Sequence, residues 1–152
     1  MHGDEKVTIG FKQAQLSDTA YLLQLRKASM GEHLISAGLN LTDQQHLERV
    51  NDCFGDSSII MINKQPIGLV KLGLLADNLH IRQLQISPQY QGKGIGSKVL
   101  VLVKEKAKEL RLPLTLNVLL ANPAISLYLR HGFIVTSQNE LEYQMRCDEF
   151  LS

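Results

Sequence analysis

Three glycines within five residues, Gly92, Gly94 and Gly96, separate a stretch of strand periodicity from a stretch of helix periodicity. Residues 79–86 read as a strand, and residues 96–110 repeat apolar side chains at helical spacing. Residues 114–120 then form another β-rich run. A strand, a glycine-rich turn, a helix and a second strand in this order predict a parallel, right-handed crossover within a sheet.

The rest of the chain supplies further strands and helices around this unit. Thr42, with Gln45 three residues later, is typical of a capping box and predicts the start of a helix. The predicted order of elements is β, α, α, β, β, β, α, β, α, β, β. This order predicts a single domain over residues 1–152. Its fold class is α/β (α+β), with a mixed sheet and helices on both faces.

The strand at residues 79–86 has an irregular apolar pattern. Its apolar side chains occupy odd positions up to Ile81 and even positions from Leu84 onward. An extra residue near Arg82 and Gln83, a β-bulge, explains the change of parity. The alternative is a strand buried on both faces with a polar interruption.

Composition excludes several classes of function. Sixteen basic and fifteen acidic residues leave a net charge of +1, so no partner among nucleic acids is expected. The longest apolar run, residues 99–103, is far shorter than the roughly 18 residues of a membrane helix. Cys53 and Cys147 have no metal-ligand spacing. We therefore expect a soluble, cytoplasmic protein without metal or membrane association.

The glycine-rich turn has the chemistry of a pyrophosphate site. Glycines let consecutive amides converge, and the first turn of a helix adds unpaired N–H groups and a positive dipole end. A Walker A loop is excluded because Gly94, not Ser or Thr, follows Lys93. The spacing also departs from the dinucleotide-binding fingerprint. A tight turn without a ligand is the alternative.

Two segments resemble the signatures of the GNAT superfamily of N-acetyltransferases. The pattern Gln91-x-x-Gly94-x-Gly96 resembles its acyl-CoA signature. Asn122 at the start of a short helix, and Tyr128 shortly before a Gly-Phe turn, resemble its second signature. The resemblance implies a GNAT-like fold, with a central, mostly antiparallel, twisted sheet of about seven strands and the parallel unit at the cofactor site. It also implies acetyl-CoA as co-substrate.

The resemblance covers residues 59–142 and implies a role for each matching position. Main-chain groups before the loop pair with the pantetheine arm, loop amides bind the pyrophosphate, and a side chain at the second motif contacts the cofactor. The cofactor-binding positions are Leu84, Gln85, Ile86, Gln91, Gly92, Lys93, Gly94, Ile95, Gly96, Ser97, Asn122 and Tyr128. Two of them are expected to be catalytic: the Tyr128 hydroxyl as general acid and the Ile86 N–H as oxyanion donor. A core aromatic with a paired hydroxyl is the alternative for Tyr128.

For the general base and the acceptor, the sequence offers several candidates. Several relatives carry a Glu at the position of Asn117, which cannot take a proton. Glu32 and His33, in a predicted inter-helix segment over residues 31–41, and His80 on the strand are candidates for substrate binding or proton transfer. Each is otherwise a surface or structural residue, and water is the remaining base. The expected acceptor is a primary amine of a small molecule, peptide or protein that attacks the thioester directly in a ternary complex.

Two further expectations concern an alternative function and the oligomeric state. A non-catalytic acyl-CoA-binding or regulatory module of the same fold is the alternative function. A strand expected at the sheet edge near the C-terminus makes a homodimer possible.

Overall fold

The computed structural model describes residues 8–151, apart from the burial of Gly31 and the side chain of Glu32. The order of its strands and helices is the one predicted from sequence. The elements are β1 (Ile9–Gln13), α1 (Thr19–Ser36), α2 (Asp43–Asn51), β2 (Ser57–Ile62), β3 (Gln65–Leu74), β4 (Leu79–Ile86), α3 (Ile95–Leu110), β5 (Leu114–Leu119), α4 (Ile125–Arg130), β6 (Ile134–Gln138) and β7 (Glu142–Cys147).

Within the described residues, seven strands form one sheet in the order β1-β2-β3-β4-β5-β7-β6. The β4–β5 pair is parallel and all other neighbours are antiparallel. The predicted mixed sheet with a parallel unit is therefore confirmed. β6 forms one edge and all five of its residues are exposed. Pairing of this edge with a second copy of the chain stays a prediction.

The predicted bulge lies at Arg82. In the β3–β4 ladder, Lys71 lies opposite Gln83 while Leu72 lies opposite Ile81, so Arg82 is the extra residue. A bulge bends a strand and increases its local twist. The change of apolar parity in the sequence therefore marked a real bend in β4.

This bend separates β4 from β5. Residues 79–81 pair with residues 114–116, and the parallel ladder ends there. Beyond this point β4 continues against β3, and β5 continues against β7 as far as Leu119. The result is a gap in the middle of the sheet, directly before the glycine-rich loop.

Hydrophobic cores on the two faces of the sheet hold the gap in place. α3 buries Val99 and Leu100 completely in the larger core, together with Phe133 at 1% exposure. α1 contributes Leu22 and Leu25 to a smaller core on the opposite face. Full burial of each such side chain contributes about 1.5 to 3 kcal/mol, so both helix layers are firmly attached.

The α1–α2 region departs from the sequence prediction at one point. Residues 31–41 were expected to form a loop, but α1 continues to Ser36 because buried Leu34 extends its apolar face. The capping box of α2 is confirmed: the Gln45 N–H donates to Thr42 Oγ1 at 3.1 Å, and the Thr42 N–H donates to Gln45 Oε1 at 2.8 Å. His33 therefore lies on a helix. Over residues 8–151, every helix is too short or too polar to span a lipid bilayer.

Candidate active site

A cavity of about 920 Å³ begins at the N-terminus of α3, follows the gap between β4 and β5, and ends against α1. Most residues predicted for the site line its wall: Leu84, Gln85, Ile86, Gln91, Gly92, Gly94, Ile95, Gly96, Ser97, Asn122, Tyr128, His33, His80 and Asn117. The Lys93 side chain lies outside the wall, with its Nζ 5.7 Å from the centroid of the Tyr90 ring. The side chain of Glu32 falls outside the described residues.

The loop before α3 presents a row of free amides. Gly92 and Gly94 have φ angles of 75° and 78°, and Gly94 is the N-cap of α3. Among residues 8–151, no protein group accepts a hydrogen bond from the N–H groups of residues 92–97. Unpaired amides at the positive end of a helix dipole are a favourable environment for an anion. The loop therefore has the donors that a pyrophosphate requires.

Side chains brace this loop and helix without using those amides. The Ser97 hydroxyl lies 2.7 Å from His131 Nε2, which links α3 to the end of α4. A Cβ on Gly96 would lie 3.3 Å from Leu127 Cδ2, so the glycine permits close packing of α4 against α3. Both contacts fix the first turn of α3 relative to α4.

Pairing with β3 decides which main-chain groups of β4 face the gap. The Ser87 N–H donates to the Ile67 carbonyl at 2.8 Å. Hydrogen-bonded pairs alternate along an antiparallel ladder, so Gln85 also bonds to β3, whereas Leu84 and Ile86 turn their main-chain groups toward the gap. Gln85 therefore contributes its side chain to the cavity and keeps its main chain in the sheet.

Gln91 connects the loop to the end of β4. Its Nε2 donates to the Ile86 carbonyl at 2.9 Å. The carbonyl of Ile86 is thereby satisfied, and the N–H of the same residue remains as a donor facing the gap. Gln91 thus has a bracing role that the sequence pattern did not indicate.

Tyr128 and Asn122 line the opposite side of the gap. Tyr128 is 7% exposed and packs edge to face against Phe133, with ring centroids 5.7 Å apart. Within the described part of the chain, its hydroxyl makes no hydrogen bond to protein. Burial raises the pKa of Tyr128 to about 12, so the phenol is protonated at neutral pH. Asn122 Oδ1 accepts the Ala124 N–H at 2.9 Å, which orients the amide that lines the cavity.

The other end of the cavity lies between α1 and the bent strand. Arg26, Met30 and His33 follow one another at intervals of four and three residues and line it from one face of α1. Gln85 Nε2 donates to Met30 Sδ at 3.0 Å, which fixes α1 over the bend. Arg26 and Met30 were not predicted from the sequence, although their spacing with His33 was a usable signal.

Ionisable groups with a possible role in proton transfer also line this end. His80 Nδ1 lies 2.6 Å from Thr115 Oγ1, and burial, with Arg82 adding, lowers the pKa of His80. Asn117 is exposed to the cavity. Glu142 on β7 is the carboxylate among the described side chains of the wall, and the sequence pattern gave no indication of it. No group of three or more His, Cys, Asp or Glu residues within the described ranges is arranged to hold a metal ion.

Comparison with known proteins assigns this arrangement to a family. The model of the acetyltransferase (GNAT) domain matches residues 55–135, just over half of the chain. The chain belongs to the GNAT family. The family resemblance and the fold class inferred from the two sequence motifs are thereby confirmed.

Solved structures share the GNAT fold at low sequence identity. The PaiA N-acetyltransferase of Thermoplasma acidophilum in complex with coenzyme A is 18% identical, with 92% of this chain and 98% of that chain covered and a TM-score of 0.71. An acetyltransferase of Thermus thermophilus is 17% identical over 91% and 96%, with a TM-score of 0.75. N-acetylglutamate synthase of Neisseria gonorrhoeae, complexed with coenzyme A and N-acetylglutamate, is 18% identical over 94% and 35%, with a TM-score of 0.67. A search of curated protein sequences finds no match.

The family assignment supports acyl transfer from a coenzyme A donor in general terms. In this GNAT chain, the free amides, the open sheet and the tyrosine all border one cavity. The end of the cavity against α1 also contains Arg26 and Met30, which the sequence pattern did not reveal.

Proposed function

We propose that this protein transfers the acetyl group of acetyl-CoA to a primary amine of a small molecule or peptide, by direct attack in a ternary complex. One observation carries the proposal. The unpaired amides of residues 92–97 stand at the head of a gap in the sheet that also contains the unpaired hydroxyl of Tyr128. This arrangement provides anion binding and proton donation in the same cavity.

The chain offers a partner for each part of the donor molecule. The amides of the loop and the dipole of α3 match the charge of a diphosphate. The outward main-chain groups of Leu84 and Ile86 match the amides of a pantetheine arm, which would lie in the gap as an added strand. The oriented amide of Asn122 supplies a further polar contact from the other side.

The chemical step needs no covalent enzyme intermediate. The amine nitrogen forms a bond to the thioester carbon while the Ile86 N–H donates to the developing oxyanion. The C–S bond then breaks, and the departing thiolate takes a hydrogen bond from the Tyr128 hydroxyl. Because a phenol of pKa about 12 is a weaker acid than a thiol of pKa about 8.5, we expect stabilisation of the thiolate to precede full proton transfer.

The acceptor must lose a proton before or during attack. Asn117 cannot receive it, and deprotonating a lysine-like amine of pKa about 10.4 at pH 7 costs about 4.6 kcal/mol. An α-amine of pKa about 7.7 costs only about 1 kcal/mol. We therefore propose that amines of low pKa are preferred, with His33, His80, Glu142 or water as the final proton acceptor.

The proposal is tested by coenzyme A release from acetyl-CoA with a panel of amines, in the wild-type protein and in Tyr128→Phe. We expect amine-dependent release, and a fall in kcat of about 100-fold or more in the variant, the usual range for loss of a general acid. Acetyl-CoA affinity and Tm should stay close to wild type, because the deleted hydroxyl makes no hydrogen bond to the described part of the protein. Tyr143→Phe, a packed tyrosine outside the cavity wall, is the matched control and should keep its activity.

Two results would contradict the proposal in different ways. Tight acetyl-CoA binding without transfer to any amine would support the non-catalytic acyl-CoA-binding module. Absence of acetyl-CoA binding by calorimetry would remove the role assigned to the loop amides.

A further inference from the structure

Arg26 is a buried cation that the described structure leaves without a counter-ion. It is 5% exposed, lies on α1, and lines the cavity. Its Nε donates to His46 Nδ1 at 3.1 Å. None of the ion pairs among the described side chains involves it. Among the described groups, no acceptor bonds to its remaining guanidinium N–H donors.

His46 orients this guanidinium without neutralising it. Nδ1 can accept the Arg26 proton only in the neutral imidazole, and burial, with Arg26 adding, lowers the pKa of His46. Burial, with Arg49 adding, lowers the pKa of Arg26 to about 10, so the guanidinium is still charged at neutral pH. An oriented, charged fork with free donors at a cavity wall is a preformed site for an anion.

The surrounding charges are also positive. Arg49 on α2 lines the same end of the cavity. Arg82 lines it too and is paired with Asp56 at 2.9 Å. Glu142, on β7, supplies the negative charge among the described residues of the wall. Burial of an unpaired charge costs several kcal/mol, and a ligand carrying an anion would offset that cost.

A second unpaired group belongs to Gln85, which lines the same end of the cavity. Gln85 is 3% exposed, its Nε2 donates to Met30 Sδ and Gln83 Oε1, and its buried Oε1 has no partner in the described structure. Met30 follows Arg26 by four residues, a rise of about 6 Å along α1. Arg26 and Gln85 thus line the same end of the cavity, one with a charged guanidinium and the other with a buried amide oxygen that lacks a partner.

We propose that the acceptor is a small amine that also carries a carboxylate, that Arg26 binds this carboxylate in bidentate fashion, and that Gln85 Oε1 accepts a hydrogen bond from its amine. The inference rests on the proposed function, because it names the acceptor class of the same site. A planar fork favours a carboxylate, which accepts two parallel N–H bonds. Because Arg26 and Gln85 line the same end of the cavity, an amino-acid-sized molecule is favoured over a long cation.

The test compares acceptors in matched pairs: L-alanine, β-alanine and γ-aminobutyrate, each against its amide. Values of kcat/KM are measured by coenzyme A release in the wild type and in Arg26→Met, which removes the charge and keeps a long side chain. For at least one pair, we expect the carboxylate-to-amide ratio of kcat/KM to be about 10- to 100-fold lower in Arg26→Met than in the wild type. Because each pair is compared within one protein, differences in amine pKa and in the folded fraction cancel between variants.

Lys27→Met is the matched control. Lys27 is the next residue of α1, pairs with Asp43 at 2.9 Å, and is absent from the cavity wall. The Lys27→Met variant loses the same charge as Arg26→Met but should keep the wild-type carboxylate-to-amide ratio. Arg26→Lys, which keeps the charge but not the fork, should give an intermediate preference.

Binding measurements separate this inference from the proposed function. With coenzyme A present, calorimetry compares N-acetylalanine with N-acetylalaninamide, which needs no turnover. Carboxylate binding that depends on Arg26, without transfer to any amine, would support the inference and contradict the function. A carboxylate-to-amide ratio of kcat/KM that is unchanged in Arg26→Met would overturn the inference and leave the function standing.

Discussion

At the scale of single residues, Gly92 and Gly94 are required by main-chain conformation and not by lack of space. A Cβ added at either position would meet no atom within 4 Å. A residue with a Cβ is nevertheless strained at positive φ, by about 1 kcal/mol or more. The two glycines therefore hold the amides of the loop in a conformation that other residues adopt only at a cost.

Gly94→Ala tests this reading of the loop. We expect a loss of roughly 1 kcal/mol in the free energy of unfolding and an increase of about tenfold or more in the Kd for acetyl-CoA, comparable to losing one hydrogen bond to a charged group. Gly55→Ala is the control, because Gly55 has no positive φ and no atom within 4 Å of an added Cβ. Denaturation and calorimetry measure the two effects. Unchanged affinity in Gly94→Ala would contradict the role of the loop.

The sequence allows prediction of some of these residues and not of others. Gly94 and Tyr128 belong to short local patterns whose spacing carries their chemistry. Arg26 and Gln85 do not, because a sequence shows neither burial nor the absence of a partner. Their properties arise only when α1 packs over the bend in β4. Glu142 likewise reaches the cavity through the pairing of β7 with β5.

At the scale of elements, β3 and β4 approach each other closely at Gly68. An added Cβ there would lie 2.4 Å from the Gln85 carbonyl oxygen, a main-chain atom that cannot move without displacing β4. The glycine therefore sets the position of the strand segment that borders the gap. The bend after Ile81 and this close approach together give β4 its path.

Gly68→Ala should damage both stability and donor binding. Overpacking against main chain typically costs 1 to 3 kcal/mol, and we expect a loss of about that size together with weaker acetyl-CoA binding. Gly10→Ala in β1 is the matched strand control, because an added Cβ there meets nothing within 4 Å. Chemical denaturation of both variants gives the comparison. Equal stability of the two would show that β4 adjusts freely.

The path of β4 was partly foreseeable. A period of two makes any inserted residue visible as a change of parity, so the bulge at Arg82 was predicted to within one residue. The end of α1 was not, because Gly31 interrupts the helical pattern while Leu34 continues it. Tertiary burial of that leucine decides the outcome.

At the scale of the whole molecule, histidines couple the fold to pH. Burial is the main cause that lowers the pKa of His46, His80 and His131. Their neutral forms are thus favoured in the folded state, while the unfolded chain takes up protons near pH 6.5. The stability that they contribute is fully present above about pH 6.5 and is lost as the pH falls from there through the folded pKa values.

We therefore expect a lower free energy of unfolding at pH 5.5 than at pH 7.5, measured by urea denaturation. His46→Gln keeps an acceptor for the Arg26 Nε but removes one titrating group. Its stability should depend less steeply on pH over the same interval. An equally steep dependence in the variant would exclude His46 as a contributor.

The sheet consists of two parts, β1 to β4 and β5 to β7. The short β4–β5 ladder joins them through three residue pairs. The apolar face of α3 packs in a core that contains side chains from both parts of the sheet. A hinge movement at this ladder disturbs few hydrogen bonds between strands. We therefore expect opening of the gap to cost less free energy than bending of either part of the sheet. A ligand that is hydrogen-bonded to both sides of the gap would hold the two parts of the sheet together. We therefore expect the protein to be most rigid with the ligand bound.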